Sequence, residues 1–468
     1  MSSNREAVQS ALAYAREYLA YQQWYMPYVG AQVAVRYEGE LLMNEAFGYR
    51  DLAAGVPLSI DDLFRIASHS KTFTGVACQQ LVAEGKLRLD DEARIHVPEL
   101  ADSPMGKVTV RELLGHTSGM TRDGRDCTFW ALEKTFPDRD ELLVTIQNEG
   151  YILPANDHFK YSNIGYSLLG LIIESATGES YRNYVTRTIV KPLGLTKTGP
   201  DLDFDRLEEF AKGYTSKAHG WDRREIDHID TFAESSATGF FSTAEELSAY
   251  FEALLDGDDR LIDDDAKRRM RQVHWTVTDE SSYGLGLSIT KVNGTTYYGH
   301  SGGYPGHITM SKFDPKRRLV VSVLTNSNDG PAMPLAVAIL HLIDLALTEK
   351  GLTEPQPADE LAPFLGRFST LWGVGDVVNL GGRLYHLSPS IINPAQEAIE
   401  MKVVSPTELE AVGDKGFGGY GENMEYVRDA DGEITEVWGA SGMRLVPAAD
   451  YALPERLTRP TRQPSAAD

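Results

Sequence analysis

Strand-like and helix-like residue patterns occupy separate parts of this chain, and this separation limits the possible fold more than any other feature. Alternating apolar residues indicate a hairpin at 32–37 and 40–48, and comparable patterns return only after 284. The later strands are predicted at 284–291, 295–298, 307–313 and 319–325, and helices at 8–24 and 334–347. We therefore predict an α+β fold: an antiparallel sheet assembled from both ends and flanked by helices, with an inserted helical subdomain at about 72–270.

The C-terminal part of the chain has a different pattern. Residues 351–360 have the composition of a linker, and short strands separated by Gly, Asp, Asn and Pro follow it. They are predicted at 366–370, 377–380, 384–388, 398–404, 408–412, 424–428 and 434–438. Such regular spacing favours an all-β barrel or sandwich. We predict a first domain at 1–350, a linker at 351–360, a barrel-like domain at 361–452 and a loosely ordered tail at 453–468.

Ser68 and Lys71 form a Ser-x-x-Lys pattern at the predicted mouth of an amphipathic helix. Residues 63–67 indicate a short extended approach, and apolar residues recur at helical spacing from Phe73 onwards. Positions three apart share a helix face, so the Lys71 amine can reach the Ser68 hydroxyl. A serine hydroxyl needs a base within reach to act as a nucleophile. The pair therefore predicts acyl-transfer chemistry.

The same pattern occurs a second time, at Ser288 and Lys291. Here the surrounding residues alternate, which predicts a strand, and residues three apart in a strand point to opposite faces. We interpret this second pair as a coincidental match.

Two further motifs follow the first in chain order, Tyr161-Ser162-Asn163 and His300-Ser301-Gly302. They add a phenol that can move a proton and a backbone edge beside an oxyanion. Another Tyr-x-Asn, at Tyr181-Arg182-Asn183, is predicted to be ordinary helix surface. Each motif alone is weak, whereas the ordered set is specific.

In these motifs the chain resembles the serine β-lactamase and penicillin-binding-protein family, in its class C and D-aminopeptidase-like branch. Further similar strings, in family order, lie at 110–120, 191–195, 239–247 and 283–287. The resemblance implies that Ser68 is the acylated nucleophile and that Lys71 relays its proton. It implies that Tyr161, as phenolate or through Lys71, takes part in general base catalysis and protonates the leaving group. It also implies that Asn163 holds Lys71 and often binds a substrate carbonyl, and that Ser301 and Gly302 line the substrate site beside His300. The N–H groups of Ser68 and Gly303 are implied to bind the oxyanion.

His300 stands where penicillin-binding members usually carry lysine. A lysine there is a fixed cation suited to a substrate carboxylate, whereas histidine is mostly neutral near pH 7. This difference favours esters, amides and peptides with a free amino end over carboxylate-bearing substrates. The alternative is that His300 makes only a structural hydrogen bond within its strand.

Composition excludes several classes of partner. The chain has 468 residues, with 68 acidic against 45 basic side chains and a net charge of −23. Such a surface repels nucleic acid and anionic membrane, so neither is expected as a partner. No signal peptide or membrane span is recognisable, which predicts a cytoplasmic protein. Residues 360–450 resemble, in pattern only, the lipocalin-like C-terminal domains of some D-aminopeptidase relatives.

Neither a metal nor a cofactor is implied. The chain has two cysteines, and Cys78 is expected to be a buried free thiol. His116, His158, His219 and His228 are scattered and are assigned structural roles. The glycine-rich stretches lack a nucleotide-binding fingerprint.

The leading hypothesis is a serine hydrolase that forms an acyl-enzyme on Ser68 and acts on small amides, D-amino-acid peptides or esters. The alternatives are an acyl transferase, a β-lactamase or DD-carboxypeptidase, and a sensor that acylates without turnover. The partner is expected to be a small-molecule substrate, with a homo-oligomer as an open option.

Overall fold

The structure, a computed structural model, describes residues 4–220, 222–413, 419–439 and 442–453. The chain divides into two compact units, Leu12–His341 and a second unit of Met1–Ala11 with Leu342–Asp468. The predicted fold class is confirmed: a large antiparallel sheet with helices, and a separate closed barrel.

The first unit is built on a nine-stranded sheet. In chain order, the strands of the first unit, inside and outside this sheet, are β1 (Gly30–Tyr37), β2 (Glu40–Asp51), β3 (Val56–Pro57), β4 (Phe64–Arg65), β5 (Gly213–Tyr214), β6 (Glu225–Ile226), β7 (Phe241–Ser242), β8 (Trp275–Thr278), β9 (Ser281–Tyr283), β10 (Ser288–Val292), β11 (Thr295–Tyr304), β12 (His307–Asp314) and β13 (Leu319–Thr325). The sheet order is β3-β2-β1-β13-β12-β11-β10-β9-β8. Strands β8 and β9 extend one edge of the sheet and were not predicted.

The two ends of this unit meet where β1 pairs antiparallel with β13, with Val33 opposite Val323. All seven residues of β13 are buried, because this central strand is covered on both faces. Its continuous apolar run, Leu319–Thr325, is therefore the pattern of a strand at the centre of the sheet.

The helices are α1 (Asn4–Tyr25), α2 (Ser70–Ala83), α3 (Ala93–His96), α4 (Val110–Leu114), α5 (Arg139–Glu149), α6 (Asn163–Thr177), α7 (Tyr181–Val185), α8 (Ala244–Glu252), α9 (Asp264–Arg271), α10 (Ala332–Ala346) and α11 (Ala358–Leu361). Helix α8 packs on β1 and β13, while α2 packs on α6. Residues on nearly every side of α2 are buried, so this helix lies inside the unit. None of the helices formed by the described residues has both the length and the apolar character needed to cross a bilayer.

The second unit contains a closed barrel of eight strands. These are β14 (Gly366–Thr370), β15 (Gly373–Leu380), β16 (Arg383–Leu387), β17 (Ile399–Ser405), β18 (Glu408–Ala411), β19 (Asn423–Arg428), β20 (Ile434–Trp438) and β21 (Arg444–Pro447). Strand β21 was not predicted, and it closes the barrel by pairing with both β14 and β20. Apolar side chains such as Phe368, Leu409 and Val437 fill the interior. The predicted tail lies, beyond Leu453, outside the described residues.

Candidate active site

Ser68 lies in a tight 3-10 turn, Ala67–His69, that leads directly into α2. The prediction placed Ser68 at the mouth of the helix, and the helix proper begins two residues later, at Ser70. Ala67 has a positive φ of 47°, which is uncommon for a residue with a side chain and ends the extended approach abruptly. The turn continues into α2, so Ser68 and Lys71 still share a face.

The amine of Lys71 has three oxygen neighbours. Its Nζ lies 3.2 Å from Ser68 Oγ, 2.7 Å from Asn163 Oδ1 and 2.7 Å from the carbonyl oxygen of Ala237. The side chain is fully buried, and burial lowers the pKa of Lys71 to about 7, although the nearby carboxyl groups of Asp123 and Glu234 act in the opposite direction. A large fraction of the molecules therefore carries a free amine at neutral pH.

Asn163 is the first residue of α6, whose N-cap is Ser162. The Ser162 hydroxyl accepts a hydrogen bond from the N–H of Gly165 at 2.8 Å, which fixes where the helix begins. From this position the Asn163 Nδ2 donates to Asp123 Oδ1 at 2.7 Å, and its Oδ1 faces Lys71. A carboxylate can only accept, so Asp123 determines which way the amide is turned.

The Tyr161 hydroxyl donates a hydrogen bond to Ser68 Oγ at 2.9 Å. Burial raises the pKa of Tyr161, and its hydrogen bond to Ser68 offsets only part of that effect. The phenol is therefore protonated at neutral pH. Of the two predicted routes, this favours the one through Lys71 over a resting phenolate.

His116 is a buried neighbour of the site that the sequence analysis assigned only a structural role. Its ring lies 4.2 Å from that of Tyr161, measured between centroids. The N–H of Ser162 donates to His116 Nδ1 at 3.1 Å, so Nδ1 carries no proton. Burial, reinforced by Lys71 and His300, holds the pKa of His116 well below its usual value. The uncharged ring of His116 therefore packs against the ring of Tyr161.

His300 is buried on β11 and uses both ring nitrogens within the protein. Its Nδ1 donates to the carbonyl oxygen of Ser301 at 2.6 Å, and its Nε2 lies 2.9 Å from the Tyr283 hydroxyl. Burial, helped by Lys71, lowers the pKa of His300 to about 3. The ring is thus neutral near pH 7, and Nε2 accepts the hydrogen bond from Tyr283.

Gly302 sets the distance between β11 and the turn that carries Ser68. A Cβ at this position would lie 2.3 Å from the carbonyl oxygen of Ile66, which no side chain tolerates. Ser301 and Gly303 point to the other side of the strand and are exposed. The structure thus brings Ser68, Lys71, Tyr161 and Asn163 into direct contact. The oxyanion role of Gly303 and Ser68 stays a prediction.

Glu234 is a second acidic residue that the sequence analysis missed. It lies three residues before Ala237, the residue whose carbonyl accepts from Lys71. Its side chain is fully buried, and among the described residues neither carboxyl oxygen has a hydrogen-bond partner. Burial, reinforced by Asp123, raises the pKa of Glu234 to about 8, although Lys71 acts in the opposite direction. Glu234 is therefore mainly uncharged at pH 7.

Both coincidental motifs lie away from this arrangement. Ser288 and Lys291 are on β10, as predicted, and the Ser288 hydroxyl donates to the carbonyl oxygen of Gly299. The second Tyr-x-Asn lies on α7, but Tyr181 is buried and its hydroxyl lies 2.8 Å from Thr74 Oγ1. The prediction of ordinary helix surface is therefore wrong for Tyr181, because α7 packs this ring against α2.

Cys78 is buried on α2 as a free thiol, as predicted, and Cys127 is exposed. Across the described parts of the chain, no group of three or more His, Cys, Asp or Glu side chains is arranged to hold a metal ion.

Two solved structures have a fold similar to that of this chain. The octameric penicillin-binding protein homologue from Pyrococcus abyssi superposes with a TM-score of 0.65 and 23% identity, covering 93% of this chain and 99% of that one. The D-amino acid amidase from Ochrobactrum anthropi SV3 gives a TM-score of 0.62 and 23% identity, covering 74% of this chain and all (100%) of that one.

Sequence comparison is more specific. Protein flp of Staphylococcus aureus (strain MRSA252) is 33% identical over 190 residues, which cover 40% of this chain and 37% of flp, so the chain spans well under half of that relative. The family model for Beta-lactamase matches residues 23–344, which include every residue of the site described above. The chain therefore belongs to the Beta-lactamase family.

Proposed function

We propose that this chain is a serine hydrolase that forms an acyl-enzyme on Ser68 and hydrolyses small amides, D-amino-acid peptides or esters. The observation that carries the proposal is the set of contacts around Lys71 Nζ. Asn163 Oδ1 and the carbonyl of Ala237 can only accept hydrogen bonds, so a neutral amine gives both its N–H groups to them. Its lone pair is then left for the Ser68 hydroxyl.

Acylation begins when the Ser68 O–H bond breaks and its proton moves to the Lys71 lone pair. The Ser68 oxygen forms a bond to the substrate carbonyl carbon, and the N–H groups of Ser68 and Gly303 are proposed to hold the resulting oxyanion. The Lys71 ammonium formed in this step keeps all three oxygen neighbours as acceptors. It is therefore held in place while the tetrahedral intermediate exists.

The leaving group departs when the bond from the carbonyl carbon to its nitrogen or oxygen breaks. Tyr161 is suited to supply the proton, because its hydroxyl donates to Ser68 Oγ and is protonated at neutral pH. The Tyr161 phenolate then takes a proton from the Lys71 ammonium, whose Nζ lies 4.9 Å from the centroid of the Tyr161 ring, and both groups return to their starting state. In deacylation a water oxygen bonds to the acyl carbon while one water proton passes to Lys71. The bond from that carbon to Ser68 Oγ then breaks, Lys71 gives the proton to Ser68 Oγ, and the carboxylic acid is released.

The substrate class is supported by His300 and by the fold neighbours. His300 is neutral and both its ring nitrogens are hydrogen-bonded within the protein, so it offers no positive charge to a substrate carboxylate. This fits amides and esters better than the acidic substrates of cell-wall carboxypeptidases or β-lactams. The similarity in fold to a D-amino acid amidase points in the same direction.

The test combines covalent labelling with a substrate panel. A fluorophosphonate probe should label one peptide, the one containing Ser68, and Ser68→Ala should lose both labelling and turnover. Ser288→Ala is the matched control and should keep both. The panel holds D- and L-aminoacyl anilides, short-chain aryl esters and a chromogenic cephalosporin. Full activity of Ser68→Ala would reject the proposal. Rapid hydrolysis of the cephalosporin would show that β-lactams, rather than simple amides or esters, are the substrates.

We also propose a homo-oligomer, since the penicillin-binding protein homologue that covers 93% of this chain is octameric. Light scattering coupled to gel filtration tests this, and a mass equal to 51.7 kDa would reject it. The cytoplasmic location, the domain boundaries and the absence of nucleic-acid and membrane partners stay predictions from the sequence.

A further inference from the structure

Asp123 lies behind Asn163, on the side opposite Lys71, and both of its carboxyl oxygens have polar partners. Its Oδ1 accepts from Asn163 Nδ2 at 2.7 Å and from Trp130 Nε1 at 3.1 Å. Its Oδ2 lies 3.1 Å from the guanidinium Nε of Arg122. The side chain is only 7% exposed. A carboxyl group with these three donors around it is held as an oriented carboxylate.

We propose that Asp123 is a positioning residue for acylation: by fixing the amide of Asn163, it leaves Ser68 as the only proton donor for the lone pair of Lys71. This inference rests on the proposed function. Asp123 touches no substrate atom in this scheme, and it fixes the geometry around Lys71 through Asn163.

The reason lies in the two ways that an asparagine amide can be turned. With Oδ1 towards Lys71, the amide accepts an N–H of Lys71, and the lone pair remains directed at Ser68 Oγ. With the amide reversed, its NH2 group would donate to the Lys71 lone pair and compete with the Ser68 hydroxyl for it. A carboxylate at position 123 excludes the reversed amide, because Oδ1 of Asn163 would then face a carboxylate oxygen of Asp123, and both atoms are hydrogen-bond acceptors. An uncharged amide at 123 would not exclude it.

Asp123 also acts on Lys71 through its charge. Of the neighbouring charges, Asp123 has the largest effect in raising the pKa of Lys71 against the effect of burial. The carboxylate therefore stabilises the ammonium that forms when Ser68 gives up its proton. The other groups that face Lys71 are the carboxyl of Glu234, the guanidinium of Arg122, the rings of His116 and His300, and the phenols of Tyr161 and Tyr166.

The test is Asp123→Asn, read out as the rate of Ser68 labelling by the fluorophosphonate probe between pH 5 and 9. We expect the plateau rate to fall about tenfold to a hundredfold, because the amide of Asn163 is no longer held in one orientation. We also expect the acid limb of the profile to move to lower pH, because the carboxylate that raises the pKa of Lys71 is gone. Loss of packing alone would lower the plateau without moving the limb.

Two further variants make the test specific. Asp126→Asn removes a neighbouring exposed carboxylate that bonds to Thr128 and Lys134, and it should leave the profile unchanged. Asn163→Ala removes the residue through which Asp123 is proposed to act. In that background, Asp123→Asn should lose its effect on the plateau rate. An undiminished effect there, or a wild-type profile for Asp123→Asn alone, overturns the proposal.

If Asp123→Asn fails to fold, as judged by circular dichroism, Trp130→Phe replaces it. This variant removes one of the two donors to Asp123 Oδ1 and should lower the plateau in the same direction by a smaller factor. A plateau equal to the wild type would overturn the proposal. Failure of the proposed function is distinct, since the wild-type protein would then show no labelling of Ser68 at all.

Discussion

Ser68–Lys71 and Ser288–Lys291 have the same residue types at the same spacing and entirely different surroundings. On the 3-10 turn and α2, Lys71 is buried and its Nζ lies 3.2 Å from the serine oxygen. On β10, Lys291 is exposed, and Ser288 bonds to the backbone of Gly299. Helical spacing brings residues three apart together, whereas strand spacing turns them to opposite faces.

The chemistry available to a Ser-x-x-Lys pattern therefore depends on the groups that surround it. Around Lys71 the protein supplies two fixed acceptors, a phenol donor and a low-dielectric interior. Around Lys291 it supplies solvent and the backbone carbonyl of Asp279. The tyrosine motifs repeat this contrast, since Tyr161 bonds to Ser68 and Tyr181 to Thr74 in the core.

The largest expected difference between the two regions comes from removing each lysine. Lys71→Met should lower the rate of Ser68 labelling by about a thousandfold or more, because Ser68, the proposed nucleophile, loses its proposed base. Lys291→Met should leave the rate within a factor of about two, since an exposed side chain away from the site is removed. Stopped-flow labelling of both variants checks this, and equal losses would contradict the assignment of roles.

The second prediction compares the two tyrosines, and it separates catalysis from stability. Tyr161→Phe should lower turnover of an amide by about a hundredfold, because the donor to Ser68 Oγ is removed. Tyr181→Phe should keep turnover and lose about 1 kcal/mol of unfolding free energy. Thr74 donates its own proton to the carbonyl of Ser236 at 2.6 Å, so Tyr181 is the donor in their bond. Turnover assays and urea unfolding test the pair, and a slow but fully stable Tyr181→Phe would reverse the interpretation.

The third prediction concerns pH. Burial lowers the pKa of Lys71 to about 7, and only the free amine can accept the Ser68 proton. Acylation should therefore fall as pH decreases through about 7, by about tenfold for each further pH unit. His300, with a pKa of about 3, and His116, well below its usual value, do not titrate in this range. A pH series with an aryl ester measures the limb, and a midpoint near that of an exposed lysine would show that the burial effect is absent.

Much of this architecture could be predicted from the sequence, and the failures have identifiable causes. The hairpin, the strands of 295–325 and the helix carrying Lys71 have strong local patterns, and all three are found. Strand β21 was missed because Arg444–Pro447 is only four residues long and ends in proline. Asp123 and Glu234 were missed because no local spacing connects them to Lys71, and only the folded chain brings them behind it. The protonation of Tyr161 depends on burial, which a motif does not reveal.

The last prediction concerns stability rather than rate, at the buried carboxyl group that lies near Lys71. Burial raises the pKa of Glu234 to about 8, from an ordinary value of 4.5 in the unfolded chain. The folded state thus holds this proton more tightly, and its stabilising effect is complete below pH 4.5 and is lost as pH rises through 8. Glu234→Gln cannot ionise, so its unfolding free energy should rise relative to wild type, by up to about 1.4 kcal/mol per pH unit in that window.

Glu280→Gln, an exposed change beside Lys291, is the control and should follow the wild type at every pH. Urea unfolding between pH 5 and 8 measures both differences. Parallel curves for Glu234→Gln and wild type would mean that a charge is no less stable in the interior around Lys71 than on the surface around Lys291. That result would remove the physical basis of the contrast between the two motifs.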